Sequence, residues 1–423
     1  MSEDKGSGAV VAGPASRRAI PWRRLLMIAG PGLIVMLADT DVGSVITAAQ
    51  SGAQWGYQLL PLQFLLIPVL YMVQELALRL GVNTGKGYAE LVSQHFGRLW
   101  AVLTVGTVIV SCFGALVTEI GGLAGAGALF GIAAWQTAAL AVGSIFIMVL
   151  TGSYHSVERI AICFGLFELA FFVVAWHARP DAETMLSQGM HIPFGNRNYF
   201  YLLAANLGTC VMPWTVFYQQ SAIADKGLVR QDLGAARLET LLGAVLCQLI
   251  TAAILIAAAA ALGGHGTGVG LQTIPEIANA LIPALGDIAG RIIFALGLSG
   301  AAFVAIIVVC LTPAWAIGEV TGLHHSLDHS PAAAPWFYGI FGLILLAGGV
   351  LVGSGIDLVR FSIAVGVVNA ALLPVVLGVL FRLSRVALAE SDRPNGIYAA
   401  AVAIIFCATA ILAIWSGVAG IAG

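Results

Sequence analysis

Asp39 and Asp41 sit in the segment ADTDVGS, Ala38 to Ser44, with apolar sequence on both sides. A carboxylate at the centre of a bilayer costs about 2.5–3.5 kcal/mol on the insertion scale. Two of them within three residues are hard to explain without a cation. A purely structural reading competes: either acid could cap a helix half or accept from backbone amides, and Asp39 could face a water-filled vestibule. On a continuous helix the two side chains point to different faces. Only unwound backbone lets them converge on one ion, so their convergence stays open. The second distinctive segment is NLGTCVMPW, Asn206 to Trp214. Met212 offers a thioether, a soft donor suited to soft or borderline metals, although a Met in an apolar helix is most often packing.

Both segments must lie on broken helices. Proline removes a backbone donor and clashes with the preceding turn, and glycine loosens the backbone. Gly30-Pro31-Gly32 precedes the acidic segment, and Met212-Pro213 closes the second. Non-helical backbone inside a membrane is tolerated only where protein buries it or where it lines a wet cavity. Two such breaks therefore predict a central ion site, with unwound carbonyls as further oxygen ligands.

Apolar runs near 20 residues recur along the chain, each long enough to cross a bilayer. Eleven candidate spans fall near 24–53, 57–81, 99–130, 133–151, 157–177, 198–222, 237–263, 289–319, 334–353, 358–382 and 395–416. The breaks fall in the first and the sixth. That spacing predicts five plus five plus one: a disordered tail over 1–20, a first unit over 21–180, a second over 181–385 and an eleventh helix over 386–423. Five is odd, so the two units sit upside down relative to each other, the arithmetic of an inverted repeat. Lys and Arg concentrate at the N-terminus and in the even loops, as at Lys86, Arg159, Lys226, Arg230 and Arg385. Cytoplasmic loops retain such residues, which predicts an integral inner (plasma) membrane protein with its N-terminus cytoplasmic and its C-terminus outside.

Composition agrees. The hydrophobic fraction is 59% and the charged fraction 9%, against roughly 25% charged in a soluble domain. The expected class is an all-α polytopic membrane protein embedded in a lipid bilayer. A net charge of −2 gives no reason to expect a nucleic-acid partner. The six cysteines (Cys112, Cys163, Cys210, Cys247, Cys310, Cys407) lie in apolar runs without CxxC spacing. They read as buried reduced thiols rather than a zinc site or a disulfide framework.

The pattern GPGLIVMLADTDVGS followed by SGAQWGYQLL, together with GTCVMP, resembles the NRAMP family of divalent metal transporters. The first hallmark of that family is Asp-Pro-Gly-Asn and the second Ala-x-x-Met-Pro. The resemblance runs from about residue 28 to 382. It implies a LeuT-like fold and a metal site at Asp41, Ser44, Thr209 and Met212, with the metal as transported substrate and no cofactor. Asp39 stands where the family usually has a neutral residue and is a further candidate ligand.

The departures from the hallmarks concern both metal and protons. Val42 replaces the hallmark Pro, Ser44 the Asn and Thr209 the Ala, whose backbone carbonyl survives the change. Trp214 and Gln219 stand where proton-coupled members carry histidines, and Leu116 where an Asp is expected one turn before Glu119. The ninth span opens on Trp336-Phe337-Tyr338 without the usual arginines. Few groups that titrate near neutral pH remain for a proton path. The chain is thus similar to the NRAMP-related branch that moves magnesium and manganese without protons. Met212 argues the other way, because magnesium has no use for sulfur. A proton-coupled manganese and iron symporter of the usual kind is the alternative, and a carrier of a non-metal solute on the same fold is a second.

Glu119 is the candidate auxiliary residue for a proton or metal path; Glu75 and Glu168 read equally as helix-to-helix hydrogen bonding. Gln219 is a possible auxiliary group with a structural role favoured, and Asn369 a possible outer partner of the site. His324, His325 and His329 cluster in a loop, where solvation is the plainer reading. A channel predicts pore-lining rings in a symmetric oligomer. A membrane enzyme needs a nucleophile or a His/Asp cluster at helix ends, and the sequence offers none.

Overall fold

The computed structural model describes residues 30–151, 154–193, 196–262, 270–281, 286–327 and 329–421. The tail predicted over 1–20, with Arg17 and Arg18, lies outside the described residues, as do Arg23 and Arg24 beyond it. The first span is the pair α1 (Pro31–Asp39) and α2 (Val42–Trp55), which meet at a 43° bend. Then come α3 (Leu60–Thr84), α4 (Tyr88–Phe96), α5 (Arg98–Ala128) and α6 (Ala134–Thr151). The fifth span is α7 (Tyr154–Gly165) and α8 (Ala170–His177), joined by a 3-10 turn. After α9 (Ala182–Gly189), the sixth span is α10 (Arg197–Cys210) and α11 (Pro213–Lys226). The chain continues through α12 (Leu233–Ala261), α13 (Ile274–Leu281), α14 (Asp287–Thr321), α15 (Pro335–Val352), α16 (Leu358–Val386) and α17 (Gly396–Ile421).

Among the described residues, eight helical stretches are long and apolar enough to cross a membrane, and α1 with α2 makes a ninth. The shorter apolar helices α6 and α17 complete the eleven spans expected. The protein is an integral multi-pass membrane protein. Its outer surface carries large apolar side chains such as Leu140, Trp176, Val350 and Ile397, the surface a bilayer covers. The packing partners obey a two-fold rule. The first span packs on α12 and the sixth on α3; α5 packs on α14 and α6 on α15; α16 packs on α5, and α7 and α8 pack on α14. Shifting every span by five maps each of these pairings onto another or onto itself, as an inverted repeat requires.

Close helix approach uses small residues. A Cβ on Gly243 of α12 would sit 2.7 Å from Cγ of Met36, so glycine there lets α1 lie against α12. A Cβ on Gly208 of α10 would collide with the Gly366 carbonyl of α16. The short helices α4, α9 and α13 lie where loops were expected. Each is too short to announce itself by periodicity, and α9 is held by its Asp181 cap on Thr184 (2.8 Å) and by Gln188, which accepts from the Tyr57 amide (3.0 Å).

One expectation needs correction. Cys112, Cys210, Cys247 and Cys310 are buried free thiols, but Cys163 and Cys407 are exposed on the apolar surface, because their helices turn that face outward. Glu75 does make helix-to-helix bonds. It pairs with Arg79 (2.8 Å) and Arg237 (2.6 Å) and accepts from the Tyr398 hydroxyl (2.6 Å), tying α3, α12 and α17 together.

Candidate functional site

The break in the first span is two residues long, Thr40 and Asp41. Asp41 is the N-cap of α2: its backbone is extended and its Oδ1 accepts from the Ser44 amide at 2.7 Å. The sixth span breaks at Val211 and Met212, both with extended backbone, before Pro213 opens α11. Ser44 joins the two breaks. Its Oγ lies 2.9 Å from the Asp39 carbonyl and 3.0 Å from the Thr209 carbonyl. Thr47, one turn on, meets the Thr209 hydroxyl at 3.2 Å. The Asp39 carbonyl, the Thr209 carbonyl and the Ser44 hydroxyl thus form one buried oxygen cluster beside Asp41, with Met212 buried at the head of α11.

The surroundings are acidic. Glu119 of α5 accepts from the Val42 amide at 3.1 Å through Oε2, while its Oε1 has no partner. Asp41, Glu119 and Glu168 all lie within electrostatic reach of one another. All three are buried. Buried like charges raise each other's energy unless a cation or a proton answers them. Among the described residues no three His, Cys, Asp or Glu side chains converge at metal-holding distance. A cation here would be held by a mixed set of carbonyls, hydroxyl, carboxylate and thioether, the donor set that two unwound helix ends provide.

The remaining sequence candidates have separate engagements. Gln219 donates to the Thr240 hydroxyl at 3.4 Å, linking α11 to α12. Asn369 accepts from Ser111 Oγ at 2.6 Å, linking α16 to α5. Leu116 packs under Gly348 of α15, and Trp214 is fully buried with no partner for its ring nitrogen. The His324 and His329 rings lie 5.1 Å apart, tilted by 33°. Sequence reasoning missed the clamp on the start of α1, whose members lie far apart in the chain. Glu239 accepts from the Gly30 amide (2.6 Å) and the Leu33 amide (2.8 Å), and Glu158 pairs with Lys226 at 2.7 Å beside Gly30. A carboxylate at a helix N-terminus answers both its free amides and its dipole.

The sequence model of the family described as natural resistance-associated macrophage protein-like (Nramp) matches residues 32–419. The divalent metal cation transporter MntH of Ralstonia nicotianae is 30% identical over 302 residues, which span 66% of either chain. A manganese transporter of Eremococcus coleocola superposes with a TM-score of 0.74 at 15% identity, over 96% of this chain and 88% of that one. The nucleobase-cation symporter Mhp1 shares the fold at a TM-score of 0.59 and 14% identity, over 92% of this chain and 89% of that one. The fold is thus the LeuT-like one expected.

Proposed function

Because the chain belongs to the Nramp family, we propose that it carries a divalent metal cation, manganese or magnesium, across its membrane by alternating access without obligatory proton flow. On this reading it is a transporter and not an enzyme, the metal is cargo, and no resident cofactor is needed. The observation that carries the reading is Ser44, whose hydroxyl touches carbonyls from both broken spans beside the Asp41 carboxylate. Asp41, Ser44, Met212 and the carbonyls of Thr209 and Asp39 would hold the ion. Relatives named for divalent metal and for manganese support the choice of substrate class. The oxygen donors suit both manganese and magnesium, but magnesium keeps its waters and has no use for the Met212 thioether.

Alternating access needs one half of a broken span to move. The clamp of Glu239, Glu158 and Lys226 around Gly30 holds α1 in place, which supports α1 as the moving half with its N-terminal side closed. We place that side in the cytoplasm, with the C-terminus outside, from the distribution of basic loops. Proton flow is disfavoured by Leu116, Trp214 and the uncharged α15. Glu119 and Glu168 are the residues a coupled mechanism would have to use.

Uptake into proteoliposomes with an internal pH dye tests the reading, comparing manganese with magnesium. Entry of metal without acidification is the expected result. Matching proton entry would overturn the uncoupled mechanism and bring Glu119 forward. No uptake of either metal by folded protein would overturn the metal assignment and favour the non-metal solute.

A further inference from the structure

The carboxylate of Asp39 does not share the destination of its carbonyl. The carbonyl faces Ser44, but the side chain turns to α12, where Cys247 Sγ lies 3.9 Å from Asp39 Oδ2. The register of α1 on α12 sets this. Gly32 meets Thr240, Met36 fits the notch at Gly243, and the next turn brings Asp39 to Cys247. Beyond Cys247 stands Gln248, whose Nε2 is 2.9 Å from Cys210 Sγ at the end of α10 and 3.9 Å from Cys247 Sγ. Two buried acceptors here have no partner: Asp39 Oδ1 and Gln248 Oε1. Asp39 is 1% exposed and Gln248 2%.

The central oxygen cluster does not account for this arrangement. An unanswered buried carboxylate oxygen and amide oxygen cost free energy that a cation would offset. The end of α1 adds its own negative carbonyl pole. The Asp39–Cys247 separation of 3.9 Å is shorter than the sum of a zinc–sulfur and a zinc–oxygen bond, about 4.4 Å. One ion can therefore touch both. Among the described residues no third acid or thiol stands within reach of the same point, so Cys210 joins only by a side-chain rotation away from Gln248. Thiol ligands select soft and borderline ions, and each thiol gives up its proton to solvent when the metal–sulfur bond forms.

We propose that Asp39 and Cys247, with Cys210 in reserve, form a second, sulfur-bearing ion station beside the central site, which retains thiophilic divalent cations such as cadmium. The station rests on the transport reading only for its purpose; its binding is measurable without transport. In it Asp39 serves two sites, by its carbonyl at one and its carboxylate at the other.

Cadmium titration of the purified full chain in detergent tests this, read by the ultraviolet thiolate-to-cadmium charge-transfer band. The wild-type protein and the Cys163→Ser/Cys407→Ser double variant should show the band equally, since those thiols are exposed on the apolar surface. Cys247→Ser should weaken cadmium binding about tenfold or more, as the loss of even an outer partner of a metal ligand typically does. Asp39→Asn, which keeps all thiols, should weaken it comparably. Manganese uptake by Cys247→Ser should stay at the wild-type level. An undiminished band in Cys247→Ser, or a band lost with the two exposed cysteines, would overturn the station. A wild-type band without manganese uptake would leave the station standing and remove the transport reading. Manganese uptake without any band would do the reverse.

Discussion

Asp41 has two roles in the site, and two substitutions separate them. Its Oδ1 caps α2 through the Ser44 amide at 2.7 Å, and its charge faces the position proposed for the ion. Asn caps a helix as well as Asp does, whereas Ala costs about 1 kcal/mol of cap energy. The charge is worth more. Two unit charges about 4 Å apart at an effective dielectric constant near 20 attract by about 4 kcal/mol, and a divalent ion doubles the attraction. Even half of that gross figure is about a thousandfold in affinity. Asp41→Asn should therefore melt in detergent at the wild-type temperature yet take up manganese at about 1% of the wild-type rate or less at low metal. Asp41→Ala should lose the same uptake and also melt earlier. Alanine alone cannot distinguish an ion ligand from a helix cap; the pair can. Uptake by the Asn variant near the wild-type rate would refute the reasoning and leave Asp41 as a cap only.

The other perturbations probe what surrounds it. Asp39→Asn should change the preference among competing metals in uptake while the yield of folded protein holds; an unchanged preference would count against any contact of its carboxylate with the ion. Gly208→Val drives a side chain into the Gly366 carbonyl, and overpacking of this kind costs about 1–3 kcal/mol; melting should fall and uptake with it, and a wild-type melt would show that α10 and α16 can separate. Glu239→Gln removes the negative charge at the start of α1, worth about 0.3–1 kcal/mol and up to about 2 when partly buried. Hydrogen exchange of the α1 amides should quicken, and unchanged protection would show that the clamp does not hold that helix.

Much of this protein follows from the chain read locally. The spans are dictated by length and apolarity, because only a helix satisfies its own backbone in lipid. Pro213, and the acidic segment from Ala38 to Ser44, mark the two breaks. Their recurrence five spans apart carries the two-fold architecture, and Asp41 and Met212 announce a cation by the cost of the one and the softness of the other. The three short helices escape because eight or nine residues complete too few turns for a period to emerge.

Where each group points is set by how the helices pack. Ser44 and Thr209 are 165 residues apart and meet because both breaks leave carbonyls free at the same depth. Asn369 turns to Ser111, Gln219 to Thr240, and the Asp39 carboxylate to Cys247. Composition had made Cys247 a packing thiol. Helix rotation about its own axis selects these partners, and that rotation is fixed by contacts such as Met36 in the notch of Gly243 and Gly208 against Gly366. Such contacts join residues remote in the chain, so no local periodicity records them.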